Sequence, residues 1–184
     1  MIDPASGPFL FDTSAESYLS QSQSPAEVEW LMGYMTLFPV FVAVVTVMER
    51  ARGYFLARSR CAPARRMEIE SKMLAYIQSL NVSPSRVLSL TTAIGLLSAQ
   101  MMTMMPAPPT PPVHSHRLSE SRQDRLSRWR FDIMIAATAL VHNLPLIHNN
   151  PRDFESLRAL IETVPERFPG VGPLNLISVK RLAA

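Results

Sequence analysis

Acidic side chains recur in this sequence where an apolar strand gives way to a helix. In a parallel sheet the carboxyl ends of the strands meet at one edge, so residues at such junctions point toward one crevice. Three acids occupy these positions, and they are Asp12, Glu49 and Asp153. Asn150 lies beside the last of them and adds a further oxygen donor. The spacing therefore predicts a group of oxygen ligands at one edge of a sheet.

A fourth acid, Asp132, lies within a predicted helix. The segment that follows it, IMIAATAL, is apolar and rich in small residues, which is typical of a helix pressed closely against a sheet. An acid that begins such a buried stretch must be paired, capped or metal-bound to offset its desolvation. Asp132 is therefore a candidate for the same crevice.

The chemistry of such a group follows from its charge. Three or four carboxylates in one cleft repel each other, and a divalent cation relieves the repulsion. Hard oxygen ligands with room for water suit Mg²⁺, or Mn²⁺, rather than zinc. A cation held in this way turns a bound water into a nucleophile and neutralises charge on a scissile phosphate. The implied reaction is hydrolysis of a phosphodiester bond.

Each acid taken alone also has a purely structural interpretation. Asp12 and Asp153 stand where helix-capping residues stand, and a capping aspartate needs no metal. The other two acids have arginines on their own helices as salt-bridge partners. These pairs are Glu49 with Arg50 or Arg52, and Asp132 with Arg128. The joint placement at successive junctions is what favours a shared site.

The elements that position the acids follow from the hydrophobic pattern. Strands are predicted at residues 9–12, 40–45, 87–90, 144–148 and 174–179, with helices between them. The first helix is predicted to begin with a capping box in which Thr13 is the N-cap and Glu16 the third helical residue. The helix at 65–80 is predicted to bury Met67, Met73, Leu74 and Ile77. Alternating strands and helices predict an α/β fold, with a mostly parallel central sheet and helices on both faces.

The composition describes one folded domain. The chain has 184 residues, of which 47% are hydrophobic and 18% charged, whereas disorder requires low hydrophobicity and high net charge. We expect a single domain over residues 9–182, preceded by an N-terminal tail at residues 1–8. Proline is concentrated in MPAPPTPPVHSH, which predicts an exposed inserted loop at about residues 105–118.

The charge and the single cysteine limit partners and compartment. The formal charge is +3 and the basic residues are almost all arginine, which favours an RNA, DNA or acidic protein partner. Cys61 alone excludes an intrachain disulfide and a multi-cysteine zinc site. No signal peptide opens the chain and neither long apolar stretch has the character of a membrane span, so we expect a cytoplasmic protein.

Three segments resemble PIN domains. FLFDTSAESYL resembles their opening strand and helix, and VFVAVVTVMERARG their second strand and acid-bearing helix. FDIMIAATALVHNLPLIHNNPRDFESL resembles the C-terminal signature of VapC toxins, so the resemblance extends from about Phe9 to Leu182. It implies a PIN-like three-layer sandwich and a Mg²⁺-dependent endoribonuclease, the toxin of a type II toxin–antitoxin pair. A VapB-like antitoxin would wrap the toxin and obstruct its site, and homodimers are usual in this family.

Carried over residue by residue, the resemblance implies metal-binding and catalytic acids at Asp12, Glu49 and Asp132. Either Asp153 or Asn150 takes the fourth place, and Thr13 adds a hydroxyl near the first acid. RNA would need positive charge nearby, and the main candidates are Arg128, Arg130 and Arg152, with Arg122 and Arg125 on the same helix. These arginines have an equally good interpretation as a solvated helix face.

Two departures from the family and two rival functions stay open. His148 stands where the family commonly has Thr or Ser, and the Pro-rich insertion is unusual in a compact VapC. The rivals are a PIN nuclease with a housekeeping substrate and a PIN-like module that binds RNA or protein without cutting. The helix around Trp30, Met32 and Tyr34 is either an antitoxin groove or part of the core.

Overall fold

The computed structural model describes residues 2–21, 24–82, 86–109 and 121–182. Within the predicted Pro-rich loop, residues 105–109 have no helix or strand, and residues 110–118 lie outside the described ranges. The function of that insertion and the domain boundaries therefore stay predictions.

Five short strands form one sheet in which every neighbouring pair is parallel. They are β1 Leu10–Phe11, β2 Phe41–Ala43, β3 Val87–Leu88, β4 Leu146–His148 and β5 Leu176–Ser178, in the order β3-β2-β1-β4-β5. The first strand is thus central, and Leu10 lies in register with both Phe41 and Leu146. The α/β prediction is confirmed, and the sheet is wholly parallel.

Within the described residues the chain forms seven α-helices, most of which lie on one or the other face of this sheet. They are α1 Thr13–Gln21, α2 Pro25–Leu37, α3 Val44–Arg60, α4 Pro63–Val82, α5 Thr92–Met104, α6 Arg122–Val141 and α7 Pro151–Thr163. Alternate strand residues point to opposite faces. Leu10 and Leu146 lie in a core with α5, α6 and α7, whereas Phe11 and Ile147 lie in a second core with α1 and α2. The predicted three-layer arrangement is confirmed.

Small side chains bring α6 close to the sheet, as the sequence predicts. Ile133, Ile135, Ala136 and Ala137 are all fully buried. This packing carries Asp132, the preceding residue, to the edge of the buried layer.

The start of α1 differs from the prediction by one residue. Asp12, not Thr13, caps the helix, because its Oδ1 accepts a hydrogen bond of 2.5 Å from the Ala15 N–H. The predicted capping box is therefore wrong, and Glu16 instead faces Arg50. Likewise α3 begins at Val44, so Glu49 lies in the second helical turn and not in the first.

The predicted inner face of α4 is wrong at three of its four residues, since only Met73 is partly buried. Met67, Leu74 and Ile77 are 78%, 55% and 44% exposed, and Tyr76 is the buried residue of this helix. The reason is that α4 packs mainly on α3, where Tyr76 meets Tyr54, and not on the sheet. A narrow stripe of α4 is therefore covered, and Met67, Leu74 and Ile77 lie outside it.

Residues 2–8 lie against the rest of the fold. The Ile2 N–H donates to the Leu182 carbonyl at 3.3 Å, and Trp30 Nε1 donates to the Ile2 carbonyl at 2.7 Å. Trp30 and Tyr34 belong to the core, whereas Met32 is exposed. Among the residues that the structure describes, no helix has both the length and the hydrophobicity needed to cross a membrane.

Candidate metal centre

The carboxyl ends of β1 and β4 bring two polar segments side by side. Asp12 directly follows β1, and its backbone N–H donates to the Ile147 carbonyl of β4 at 3.0 Å. Asn149 and Asn150 directly follow β4. The Asn149 N–H donates to Ser14 Oγ at 3.3 Å, which joins the start of α1 to the loop before α7.

Asp12 is a buried carboxylate surrounded by neutral donors. It is 3% exposed, and it accepts hydrogen bonds from Ser14 Oγ at 2.7 Å and from the Ala15 N–H. Burial, with a smaller contribution from the charge of Glu49, raises the pKa of Asp12 from 3.8 to about 7, although the hydrogen bonds from Ser14 and Ala15 act to lower it. A carboxyl that ionises only near neutrality is one that a cation would stabilise in its charged form.

Glu49 reaches this group from α3. Thr13 Oγ1 donates a hydrogen bond of 2.6 Å to Glu49 Oε2, so the predicted supporting hydroxyl lies against the second predicted acid. This contact joins the start of α1 to α3. Because Thr13 follows Asp12 directly, it also holds Glu49 near Asp12. These three residues form one half of the candidate centre.

The other half lies between α6 and α7. Asp132, Asn150 and Asp153 are 6%, 9% and 5% exposed. The Asn150 amide nitrogen donates to Asp153 Oδ2 at 2.6 Å and to Asp132 Oδ2 at 3.3 Å. One amide therefore holds two carboxylates, and both residues proposed for the fourth ligand place lie in this half.

The residues present suit a hard divalent cation by their chemistry. Carboxylate oxygens and a side-chain amide, which carries an oxygen as well as a nitrogen, are donors that Mg²⁺ accepts. The raised pKa of Asp12 shows a buried acid that lacks a compensating charge. Within the described ranges, however, no three His, Cys, Asp or Glu side chains stand close enough to be a ready-made metal site. The two halves are adjacent, and a cation would have to draw them together.

His148 is the last residue of β4 and lies next to this centre along the chain. Its side chain is buried against Phe154, with ring centroids 5.3 Å apart. Burial, and secondarily the charge of Arg158, lowers the pKa of His148 from 6.5 to about 4. The imidazole is therefore neutral at physiological pH, so this departure from the family adds no charge beside the acids.

The predicted RNA-contacting arginines do not lie together. Arg128 precedes Asp132 by one helical turn and so shares its side of α6, and Arg125 does so one turn further away. Arg130 is exposed and lies about 200° around the helix from Asp132, since each residue turns the chain by about 100°. Arg152 is exposed in the first turn of α7. The grouping of Arg125 with Arg128 follows from helical spacing alone.

The pH dependence of stability, measured in EDTA, is expected to become less steep when Asp12 is replaced by Asn. Asp12 has a raised folded pKa, so its contribution to stability falls as pH rises from 3.8 to about 7, and Glu16, also raised, acts in the same direction. His148 has a lowered folded pKa, so its contribution rises between about pH 4 and 6.5.

In the wild type these slopes oppose each other. In Asp12→Asn the falling contribution of Asp12 is absent, while those of Glu16 and His148 still oppose each other. The fall of stability with pH should therefore be smaller than in the wild type by up to about 1.4 kcal/mol per unit in that range. Urea unfolding at several pH values measures both slopes. Equal slopes for the two proteins would show that Asp12 does not titrate in this window.

Comparison with known proteins gives a likeness of structure only. At the level of sequence, neither a protein-family model nor a curated protein matches the chain. Several solved complexes contain a chain of similar fold, and three of them are compared in turn. One is VapBC2 from Rickettsia felis bound to a DNA fragment from its promoter, with a TM-score of 0.53, 13% identity and coverage of 92% of this chain and 97% of that chain.

The other two comparisons agree with the first. FitAcB from Neisseria gonorrhoeae has a TM-score of 0.53 and 19% identity, and the match covers 82% of this chain and 93% of that chain. DNA-bound VapBC from Salmonella typhimurium has a TM-score of 0.50 and 20% identity, with coverage of 93% and 97%. Together with the parallel five-stranded sheet, these matches establish a PIN-like fold for the chain.

Proposed function

We propose that this chain is a Mg²⁺-dependent endoribonuclease, with Mn²⁺ as a substitute ion, and that it is the toxin of a VapBC-type pair. The observation that carries the proposal is the buried carboxylate of Asp12, with its raised pKa, beside Glu49 at the carboxyl end of the central strand. The PIN-like fold supports the proposal, since the solved complexes of similar fold are toxin–antitoxin complexes.

Each residue of the centre has a defined task in this account. Asp12, Glu49 and Asp132 supply carboxylate oxygens for the ion, and Asp153 or Asn150 supplies the remaining protein donor. Thr13 holds Glu49 in place through its hydroxyl, and Ser14 holds Asp12. When bound, the ion supplies an activated water and neutralises charge on the phosphate. Arg128, one helical turn before Asp132, would hold a phosphate of the RNA, whereas Arg130 and Arg152 would contact more distant phosphates.

The proposed partner is a VapB-like antitoxin. The similar complexes contain such partners, and the net charge of +3 favours an acidic protein surface. Exposed Met32 and Met35 on α2 leave apolar surface for a partner, although Trp30 and Tyr34 do not. We further propose a homodimer in the cytoplasm.

A second function is favoured by one observation. Because no three metal-ligating side chains converge within the described residues, a PIN-like module that binds RNA or protein without cutting is the rival. For such a module, Mg²⁺ would not raise the melting temperature and Asp12→Asn would leave RNA binding and stability unchanged. A housekeeping PIN nuclease is a third possibility, and it shares the chemistry but not the antitoxin.

Expression in a bacterial host separates these functions. For a toxin, induction of the wild-type chain arrests growth, Asp132→Asn does not, and a small protein encoded beside the gene relieves the arrest. Arrest without relief by that protein favours a nuclease with another substrate. Equal growth with wild type and variant, at equal levels of folded protein, contradicts the nuclease proposal.

A further inference from the structure

Two consecutive hydroxyl residues in the first turn of α1 contact different parts of the candidate centre. Thr13 Oγ1 donates to Glu49 Oε2 on α3, the helix that follows β2. Ser14 Oγ accepts a hydrogen bond of 3.3 Å from the backbone N–H of Asn149, which follows β4. Strand β1 lies between β2 and β4 in the sheet. The first turn of α1 therefore contacts both halves of the centre.

The hydroxyl of Ser14 takes part in two hydrogen bonds at once. Besides accepting from Asn149, it donates to Asp12 Oδ2 at 2.7 Å. A serine hydroxyl has one proton and two lone pairs, so both bonds can form together. Hydrogen bonds in such a chain polarise one another, and a bond to a carboxylate is stronger than one between neutral groups. Because 135 residues separate Ser14 from Asn149, the second bond is a tertiary contact and not a feature of the helix end.

The chain of hydrogen bonds continues from Asn149 into the other half of the centre. The next residue, Asn150, donates from its side-chain amide to Asp153 Oδ2 at 2.6 Å and to Asp132 Oδ2 at 3.3 Å. A displacement of the backbone at Asn149 would therefore also displace the amide that holds these two carboxylates. Ser14 thus links the acid at the end of β1 to the acids of α6 and α7.

The hydrogen bonds of Asp12 leave room for a cation. Oδ1 accepts from the Ala15 N–H and Oδ2 from Ser14, whereas a carboxylate has about four lone-pair positions. Burial is the main cause that raises the pKa of Asp12, and the Ser14 hydrogen bond is the largest of the effects that lower it. Ser14 is therefore the neighbour that most favours the charged form of this carboxyl.

The two halves require a link if one ion is to use both. In the part of the chain that the structure describes, no three His, Cys, Asp or Glu side chains already converge on one point. We propose that Ser14 is a positioning residue that couples the two halves, so that a cation bound beside Asp12 draws the carboxylates of the other half toward it through Asn149. The inference rests on the proposed function for the existence of the cation.

Ser14→Ala tests the coupling with a change that suits a helix, since alanine is the best helix former. The dissociation constant for Mn²⁺, measured from the electron paramagnetic resonance signal of the free ion, should rise about 10-fold, because a hydrogen bond to a charged group is lost. Ser14→Thr keeps a hydroxyl and should stay within a factor of about 2 of wild type. The matched control is Ser156→Ala on α7, an exposed serine whose hydroxyl donates to the Arg152 carbonyl within its own helix, and it should leave the constant unchanged.

Nuclear magnetic resonance of the ¹⁵N-labelled protein distinguishes coupling from a general loss of structure. The backbone amide of Ala15 reports on Asp12, to which it donates, and the side-chain amide of Asn150 reports on the other half. When Mg²⁺ is added to the wild type, both signals should shift with the same midpoint. In Ser14→Ala the Ala15 signal should still shift, whereas the Asn150 signal should need a Mg²⁺ concentration about 10-fold higher.

The same link can be measured in EDTA, which separates its failure from that of the proposed function. Asp12→Asn should shift the Asn149 amide signal in the wild-type background but much less in Ser14→Ala, where the intervening hydroxyl is absent. Equal shifts in the two backgrounds would overturn the inference, as would Ala15 and Asn150 signals that keep one midpoint in Ser14→Ala. A wild type that responds to neither ion contradicts the metal-dependent function, and the comparison in EDTA still decides whether Ser14 forms the link.

Discussion

Asp12→Asn is expected to reduce RNA cleavage by at least about 100-fold without loss of the fold. Asn keeps the size of the side chain and an oxygen that can cap α1, so the Ala15 N–H retains its acceptor. What it removes is the negative charge beside Glu49, which the proposed ion requires. A rate assay with a fixed RNA, at saturating Mg²⁺, gives the ratio of wild type to variant.

The matched control is Asp3→Asn. Asp3 also caps a helical turn through its carboxylate, since Oδ1 accepts from the Ala5 N–H at 2.9 Å. It is exposed, however, and the turn that it caps packs on α2. Its cleavage rate should stay within a factor of about 2 of wild type, since an exposed cap changes stability by only about 1 kcal/mol. Equal rates for wild type and Asp12→Asn would remove the central acid from the mechanism.

Trp129→Ala is expected to destabilise the fold by about 3–5 kcal/mol. Trp129 is the largest fully buried side chain and lies on the inner side of α6, three residues before Asp132. Its Nε1 donates to the Met105 carbonyl at 2.9 Å, so the change creates a cavity and also leaves a carbonyl without its donor. Urea unfolding followed by circular dichroism measures the loss.

Arg130→Ala, at the exposed neighbouring position, should change stability by no more than about 0.5 kcal/mol. A loss below about 1 kcal/mol for Trp129→Ala would mean that α6 is not packed on the sheet as described, because an indole removed from a core costs more than that. The position of Asp132 depends on the same packing.

The sequence was sufficient for the architecture because its signals are local. An apolar run ending in Asp12 located β1, and the apolar run before Asn150 and Pro151 located β4. IMIAATAL located the buried face of α6. The capping residue of α1 was misplaced because Asp12 and Thr13 both have the side chain that a cap requires, and only the backbone decides between them. The inner face of α4 was misjudged because its apolar residues surround the helix, so periodicity could not show which stripe α3 covers.

The contacts that tie the site together were beyond sequence reasoning for a different reason. Thr13 and Glu49 are 36 residues apart in the sequence, and Glu16 and Arg86 are 70 apart. No local sequence pattern therefore predicts either contact. The sequence placed Asp12, Glu49, Asp132, Asn150 and Asp153 at neighbouring edges of the fold, but their separation into two halves depends on side-chain geometry.

Cleavage of total RNA by the purified protein tests the account most directly. The samples contain Mg²⁺ or EDTA, with wild type, Asp132→Asn, and Asp124→Asn as an exposed acid on the same helix that pairs with Arg52. The account predicts discrete fragments with wild type and Asp124→Asn in Mg²⁺, and intact RNA with EDTA or Asp132→Asn. RNA that stays intact in every sample, or fragments that persist in EDTA and with Asp132→Asn, would contradict a metal-dependent ribonuclease.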